Sequence, residues 1–156
     1  MSSPRVTQLV VRAANERDLH HPDVGGPDGE YRPQLAAVIR GGGGVVFVGE
    51  LDGQIVGRIT VTTNVRQADI SGFVVSEVSR RQGIGTTLID AAETEARRRG
   101  CTEVRLSVAK QNPDALALYL RRGYERVGEG RSAGLRTRDG SVIHEPEPVW
   151  RMIKPV

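Results

Sequence analysis

Short β-branched runs alternate along the chain with longer stretches whose apolar residues recur every three to four positions, and glycine or asparagine marks most junctions. Residues 6–13 carry Val6, Leu9, Val10 and Val11 and predict a strand. Asn15-Glu16-Arg17-Asp18-Leu19 can begin a helix, and His20-His21-Pro22 opens a Pro/Gly/Asp-rich loop to about Glu30. From Tyr31, Leu35, Ala36, Val38 and Ile39 predict a short helix, stopped by a flexible run from Gly41 to Gly44. Residues 45–51 and 54–61 flank Asp52-Gly53, a pair that supplies the positive φ angles of a tight hairpin turn. A polar connection from Asn64 to Asp69 leads into an apolar strand at 70–75.

The second half repeats the alternation. Ile84, Leu88, Ala92 and Ala96 line one stripe of a helix at about 83–99, with Ile89 beside them. Glu93–Arg97 and Glu95–Arg99 read as i,i+4 pairs on its outer faces, and Arg97-Arg98-Arg99 suits its negative end before the cap at Gly100. Residues 103–108 alternate as a strand. Asn112-Pro113 forms a cap and first-turn proline for a helix bearing Leu116, Leu118, Tyr119 and Leu120, which ends at Arg121-Arg122-Gly123. Strands follow at 124–127 and 149–153, separated by a polar segment containing Asp139-Gly140. Strands interleaved with helices make an α/β chain.

Composition narrows the function classes. A chain of 156 residues, 38% hydrophobic and 26% charged, fits one globular domain over 1–156. The net charge of +3, the 4% aromatic content and the lack of a long basic block argue against nucleic acid as a partner. Cys101 is alone, which excludes an internal disulfide and fits a reducing compartment; it reads as a buried thiol rather than a nucleophile. His20, His21 and His144 lack metal-site spacing, so no metal is expected. No apolar run is long enough to span a bilayer, and Met1-Ser2-Ser3-Pro4-Arg5-Val6 lacks an export signal's apolar core. The expectation is a cytoplasmic protein with no membrane partner.

The chemistry concentrates between Phe73 and Leu88. An apolar run ends at Val75, a basic glycine turn follows, and helical periodicity starts at Ile84. Strand, basic turn and helix build an anion site from backbone N–H groups and the positive end of a helix dipole. Arg80-Arg81-Gln82-Gly83-Ile84-Gly85 is neither a P-loop, which needs Lys then Ser/Thr after its last glycine, nor a dinucleotide fingerprint, which needs Gly or Ala where Leu88 stands.

The turn, read as Arg80-x-x-Gly83-x-Gly85, is followed by Asn112, Ala115, Leu118-Tyr119 and Gly123-Tyr124. That ordered series resembles the GNAT-type N-acetyltransferase superfamily. The close resemblance covers roughly residues 69–124; Glu77 stands where the family often has proline. It implies one acetyltransferase domain over 1–156, with a central twisted mixed sheet of six to seven strands, about four flanking helices and a splayed parallel strand pair. It also implies acetyl-CoA as co-substrate. Gln82, Gly83, Ile84, Gly85 and Thr86 would hold the pyrophosphate through backbone N–H groups, with charge from Arg80 or Arg81. The backbone of Phe73, Val74 and Val75 would pair with the pantetheine arm, and the Val75 amide would face the thioester carbonyl. Asn112 and Tyr119 complete the cofactor-side set.

Two side chains have competing readings. Tyr119 sits where a helix tyrosine ordinarily packs into a core, and where relatives place the general acid for the thiolate. Asp69 reads as a turn residue before a strand, or as the base that deprotonates the amine in place of ordered water. The resemblance implies transfer to a primary amine of a small molecule or peptide by direct attack in a ternary complex. The alternative is a non-catalytic acyl-CoA-binding sensor or regulatory module. The family's substrate side corresponds to residues 15–44, with Asp23, Asp28 and Glu30, and to residues 128–148, which mix basic and acidic side chains. Monomer and homodimer both fit.

Overall fold

A computed structural model of the chain describes residues 8–76, 83–136 and 139–156. In chain order it contains β1 (Leu9–Ala13), a 3-10 turn (Glu16–His20), α1 (Pro22–Gly25), α2 (Arg32–Gly41), β2 (Gly44–Leu51), β3 (Gln54–Thr63) and β4 (Gln67–Val75). Then come α3 (Ile84–Arg98), β5 (Glu103–Ala109), α4 (Pro113–Arg121), β6 (Glu125–Arg131), β7 (Leu135–Arg136), β8 (Val142–His144) and β9 (Pro148–Pro155). Seven strands form one sheet in the order β1-β2-β3-β4-β5-β9-β6, and β7 pairs with β8 alone. The pairs β1–β2, β5–β9 and β6–β9 are antiparallel. β4 runs parallel to β5 with Gln67↔Glu103, Ala68↔Val104 and Asp69↔Arg105 in register. This is the mixed sheet that the family resemblance implies, with four α-helices among the described residues.

Two compact units divide the chain: Met1–Thr60 with Gly72–Ala92, and Val61–Ser71 with Glu93–Val156. In the first, Leu19, Val24, Leu35, Val46 and Val48 form a core, with Tyr31, Ala36 and Ile39 packed on it. Arg12 ties the 3-10 turn to β2, reaching Asp18 and Glu50 at 2.8 Å each. Asn15 starts that turn with a reciprocal capping box closed by Asp18. The stretch after His21, expected as loop, contains the one-turn α1: His21 Nδ1 accepts from Asp23 N–H at 3.1 Å and Pro22 takes the first helical position. The hairpin turn is as expected, with φ of 51° at Asp52 and 82° at Gly53.

In the second unit, Val104, Leu106 and Val108 alternate inward along β5, and Tyr124, Val149 and Met152 are buried. Glu93 corrects the reading of α3. The expected pair with Arg97 forms at 3.7 Å, but Glu93 is 2% exposed instead of lying on an outer face, accepting from Tyr124 Oη at 3.1 Å and from Lys154 Nζ at 2.8 Å. Glu95 is also buried, held by Arg98 and Arg99. The hairpin β7–β8 falls in the segment read only as polar. Arg136 Nη1 donates to Gly140 O at 3.0 Å, and Ser141 N–H donates to Asp139 Oδ1 at 3.0 Å.

Candidate active site

Of the residues expected to cradle a pyrophosphate, Arg80, Arg81 and Gln82 lie outside the described residues. Gly83, Ile84, Gly85 and Thr86 lead into α3 and form its first turn. Gly83 adopts φ +76°, a conformation costly for any residue with a Cβ, and no atom of the described residues outside its chain neighbours lies within 4 Å of where a Cβ would stand. Its carbonyl accepts from Thr87 N–H at 3.1 Å and from Thr87 Oγ1 at 2.8 Å. The N–H groups of Ile84, Gly85 and Thr86 therefore precede the first i→i−4 bond of the helix. No acidic residue stands in this turn, so nothing there opposes the helix dipole. Ile84 is buried and anchors the turn from below.

β4 ends beside β3. Ser76 N–H donates to Val56 O at 2.6 Å, and a Cβ on Gly57 would lie 2.9 Å from Val74 O and 3.1 Å from Leu88 Cδ1. Glycine at 57 thus permits the close approach that fixes the last residues of β4. Gly72 interrupts the strand with φ +58°, a local departure from the pleat. Val74 is exposed, while Phe73 and Val75 are half-buried.

The remaining expected residues belong to the second unit. Asp69 lies within β4, not ahead of it. The strand begins at Gln67, because backbone pairing with β5 extends it through polar residues that periodicity excludes. Its side chain is exposed. Asn112 is exposed and caps α4, its Oδ1 accepting from Ala115 N–H at 3.1 Å. Tyr119 is 5% exposed, its ring 5.7 Å from that of Tyr124 in an edge-on arrangement. Burial pushes its phenol above the usual tyrosine range. Among the described residues no group of three His, Cys, Asp or Glu could hold a metal ion. Sequence reasoning passed over Arg58 and Thr60, both buried on β3. The available signal was a charge inside the apolar run Ile55–Val61.

Residues 11–124 match the model of the acetyltransferase (GNAT) family, and the chain belongs to that family. It is 38% identical over 64 residues to an aminoglycoside N(6')-acetyltransferase type 1 of Klebsiella aerogenes, a match covering 41% of this chain and 42% of that protein. The matches span between 38% and 45% of the length of the curated relatives. Among solved structures, the ribosomal-protein-S18-alanine N-acetyltransferase of Escherichia coli shares the fold at a TM-score of 0.76 and 21% identity, covering 96% of this chain and 94% of that one. A GNAT family acetyltransferase from Elizabethkingia anophelis, solved with acetyl-CoA bound, gives 0.69 at 12% identity over 95% of this chain and 98% of that one.

Proposed function

We propose that the protein transfers an acetyl group from acetyl-CoA to a primary amine by direct attack in a ternary complex. The observation that carries this reading is the start of α3. There Gly83 takes φ +76° with no described atom where a Cβ would stand, and the next three N–H groups stand before the first helical bond with no acidic residue in that first turn. That arrangement fits a pyrophosphate. Gly83, Ile84, Gly85 and Thr86 would hold it, with Arg80, Arg81 and Gln82 assigned to the same task by sequence alone. Acetyl-CoA supplies the activated acetyl carbonyl.

Phe73, Val74 and Val75 would line the pantetheine arm, and the Val75 N–H would donate to the oxygen as negative charge develops on it. Tyr119, with its phenol above the usual range, is fully protonated at neutral pH, so it would have a proton to give the departing thiolate. For the same reason it does not serve as the base. Asp69 or ordered water takes that role, and Asn112 sets the start of the helix carrying Tyr119. No described helix is long and apolar enough to cross a membrane. A cytoplasmic location, an acceptor that is a small molecule or peptide, and a monomer or homodimer complete the proposal.

The depth of Tyr119 supports a second reading, a non-catalytic acyl-CoA sensor in which this tyrosine only packs. Calorimetric titration with acetyl-CoA, then an amine panel with detection of released thiol, separates the two. Binding with turnover supports transfer; binding without turnover on any amine supports the sensor. No binding by a folded sample overturns both.

A further inference from the structure

Arg58 projects from the middle of β3 and is 6% exposed, yet among the described residues its guanidinium has no carboxylate partner and no hydrogen-bond acceptor. Its Cζ lies over the ring of Tyr31, 5.1 Å from the centroid. A guanidinium stays charged in a protein, and a buried charge without a counter-ion is costly. Glu30 acts on it through space, without a hydrogen bond between the two, and its Oε2 accepts from Asp28 N–H at 2.9 Å.

Two further features converge on the same point. Thr60, two residues along β3 and so on the same face, is 3% exposed, and its Oγ1 has no hydrogen-bond partner. On β4, a Cβ at Gly72 would collide with Arg58 Nη1 and come within 3.5 Å of Thr60 Oγ1, so the glycine is what lets the guanidinium pack against the β4 backbone beside that hydroxyl. A donor fork and an unsatisfied hydroxyl side by side are the groups that a bound anion requires.

We propose that Arg58 and Thr60 seat the carboxylate of the acceptor, so that the substrate is an amino-acid-like molecule carrying both a primary amine and a carboxylate. One guanidinium and one hydroxyl match the single charge and two oxygens of a carboxylate; a phosphate, closer to two charges, would call for more donors. Gly72 precedes Val75 by three residues, at most about 10 Å of strand, so a carboxylate held here leaves its amine a few bonds from the expected acetyl carbonyl. The assignment rests on the acetyl-transfer reading above.

The test uses products, so that it does not depend on turnover. Protein saturated with coenzyme A is titrated calorimetrically with N-acetyl amino acids of apolar, acidic and basic side chain, and with their matched N-acetyl amides. At least one acid is expected to bind about 10-fold or more tightly than its amide, the scale of hydrogen bonds to a charged group. Arg58→Gln should erase that preference. Thr60→Val should weaken binding of the acid several-fold while the unfolding midpoint stays level or rises, because an unsatisfied buried hydroxyl is removed.

Equal binding of acid and amide, no binding of either at millimolar concentration, or a preference that survives Arg58→Gln would overturn the proposal. So would a Thr60→Val protein with undiminished affinity. If Arg58→Gln does not fold, the wild-type comparison and Thr60→Val decide. Failure of the acetyl-transfer reading looks different: coenzyme A itself does not bind, while the titrations repeated without it still report the carboxylate preference.

Discussion

Glu95 and Tyr119 each carry a perturbed proton affinity, and each perturbation has its own observable. Hydrogen bonds from Arg98, then from Arg99, hold the Glu95 carboxyl at about 2 against an ordinary 4.5. A carboxylate depressed by folding gives stability that is complete above its unfolded value and is lost as pH falls toward its folded one. The unfolding midpoint should therefore decline between about pH 4.5 and 2, and Glu95→Gln should make that decline shallower. A decline of unchanged slope in the variant would assign the acid sensitivity to other groups. For Tyr119, replacement by Phe keeps the ring against Tyr124 and removes the hydroxyl that carries the proton. An acid role predicts a fall in kcat of about 100-fold or more with little change in acetyl-CoA affinity. An unchanged kcat would sink that role.

At this scale the chain was partly legible. Buried Cys101 and the Asn112 cap follow from local pattern. Glu93 did not, because a carboxylate four residues before an arginine has the spacing of a surface pair. Its burial depends on Tyr124 and Lys154, distant in sequence. Arg58 escaped for a related reason: alternation identifies the face a residue occupies, not whether a counter-charge waits there.

Among elements, those closed by local interactions were the readable ones. The Asp52-Gly53 hairpin, α2 ending at Gly42, and α3 ending before Gly100 each carry their own stop signal, with φ of 71° at Gly42 and 82° at Gly100. α1 is a single turn with no room for periodicity, and β7 has two residues, so neither leaves a pattern to detect. The start of α3 gives a direct test of an element's function. With no atom of the described residues near its Cβ position, Gly83→Ala meets mainly backbone strain, about 1–2 kcal/mol for a left-handed residue. If that geometry aims the first N–H groups at a pyrophosphate, acetyl-CoA affinity should drop about 10-fold in calorimetry. Retained affinity would mean that the backbone at Gly83 does not set the cofactor site.

Across the whole molecule, the strand order was the least accessible property. β9, last in the chain, pairs with both β5 and β6, a choice that no local signal encodes. The family resemblance supplied the architecture that periodicity could not. Cofactor binding also acts at this scale, since a ligand taken up only by the folded chain shifts the entire unfolding equilibrium. At one hundred times its dissociation constant, acetyl-CoA should stabilise the protein by about 2.7 kcal/mol. For a chain of 156 residues that raises the melting temperature by roughly 5–10 °C. No shift at saturating concentration would contradict selective binding to the native state.

Cys101 gives these measurements an internal control. The only cysteine of the chain is 5% exposed, with its N–H bonded to Ala96 O at 2.9 Å and Sγ 3.7 Å from Asn64 O. While the chain stays folded, a colorimetric thiol reagent added to the assay would meet free coenzyme A and not Cys101. A slow additional signal that levels off at one equivalent per polypeptide would count molecules that have opened. One trace would then report turnover and the integrity of the catalyst together.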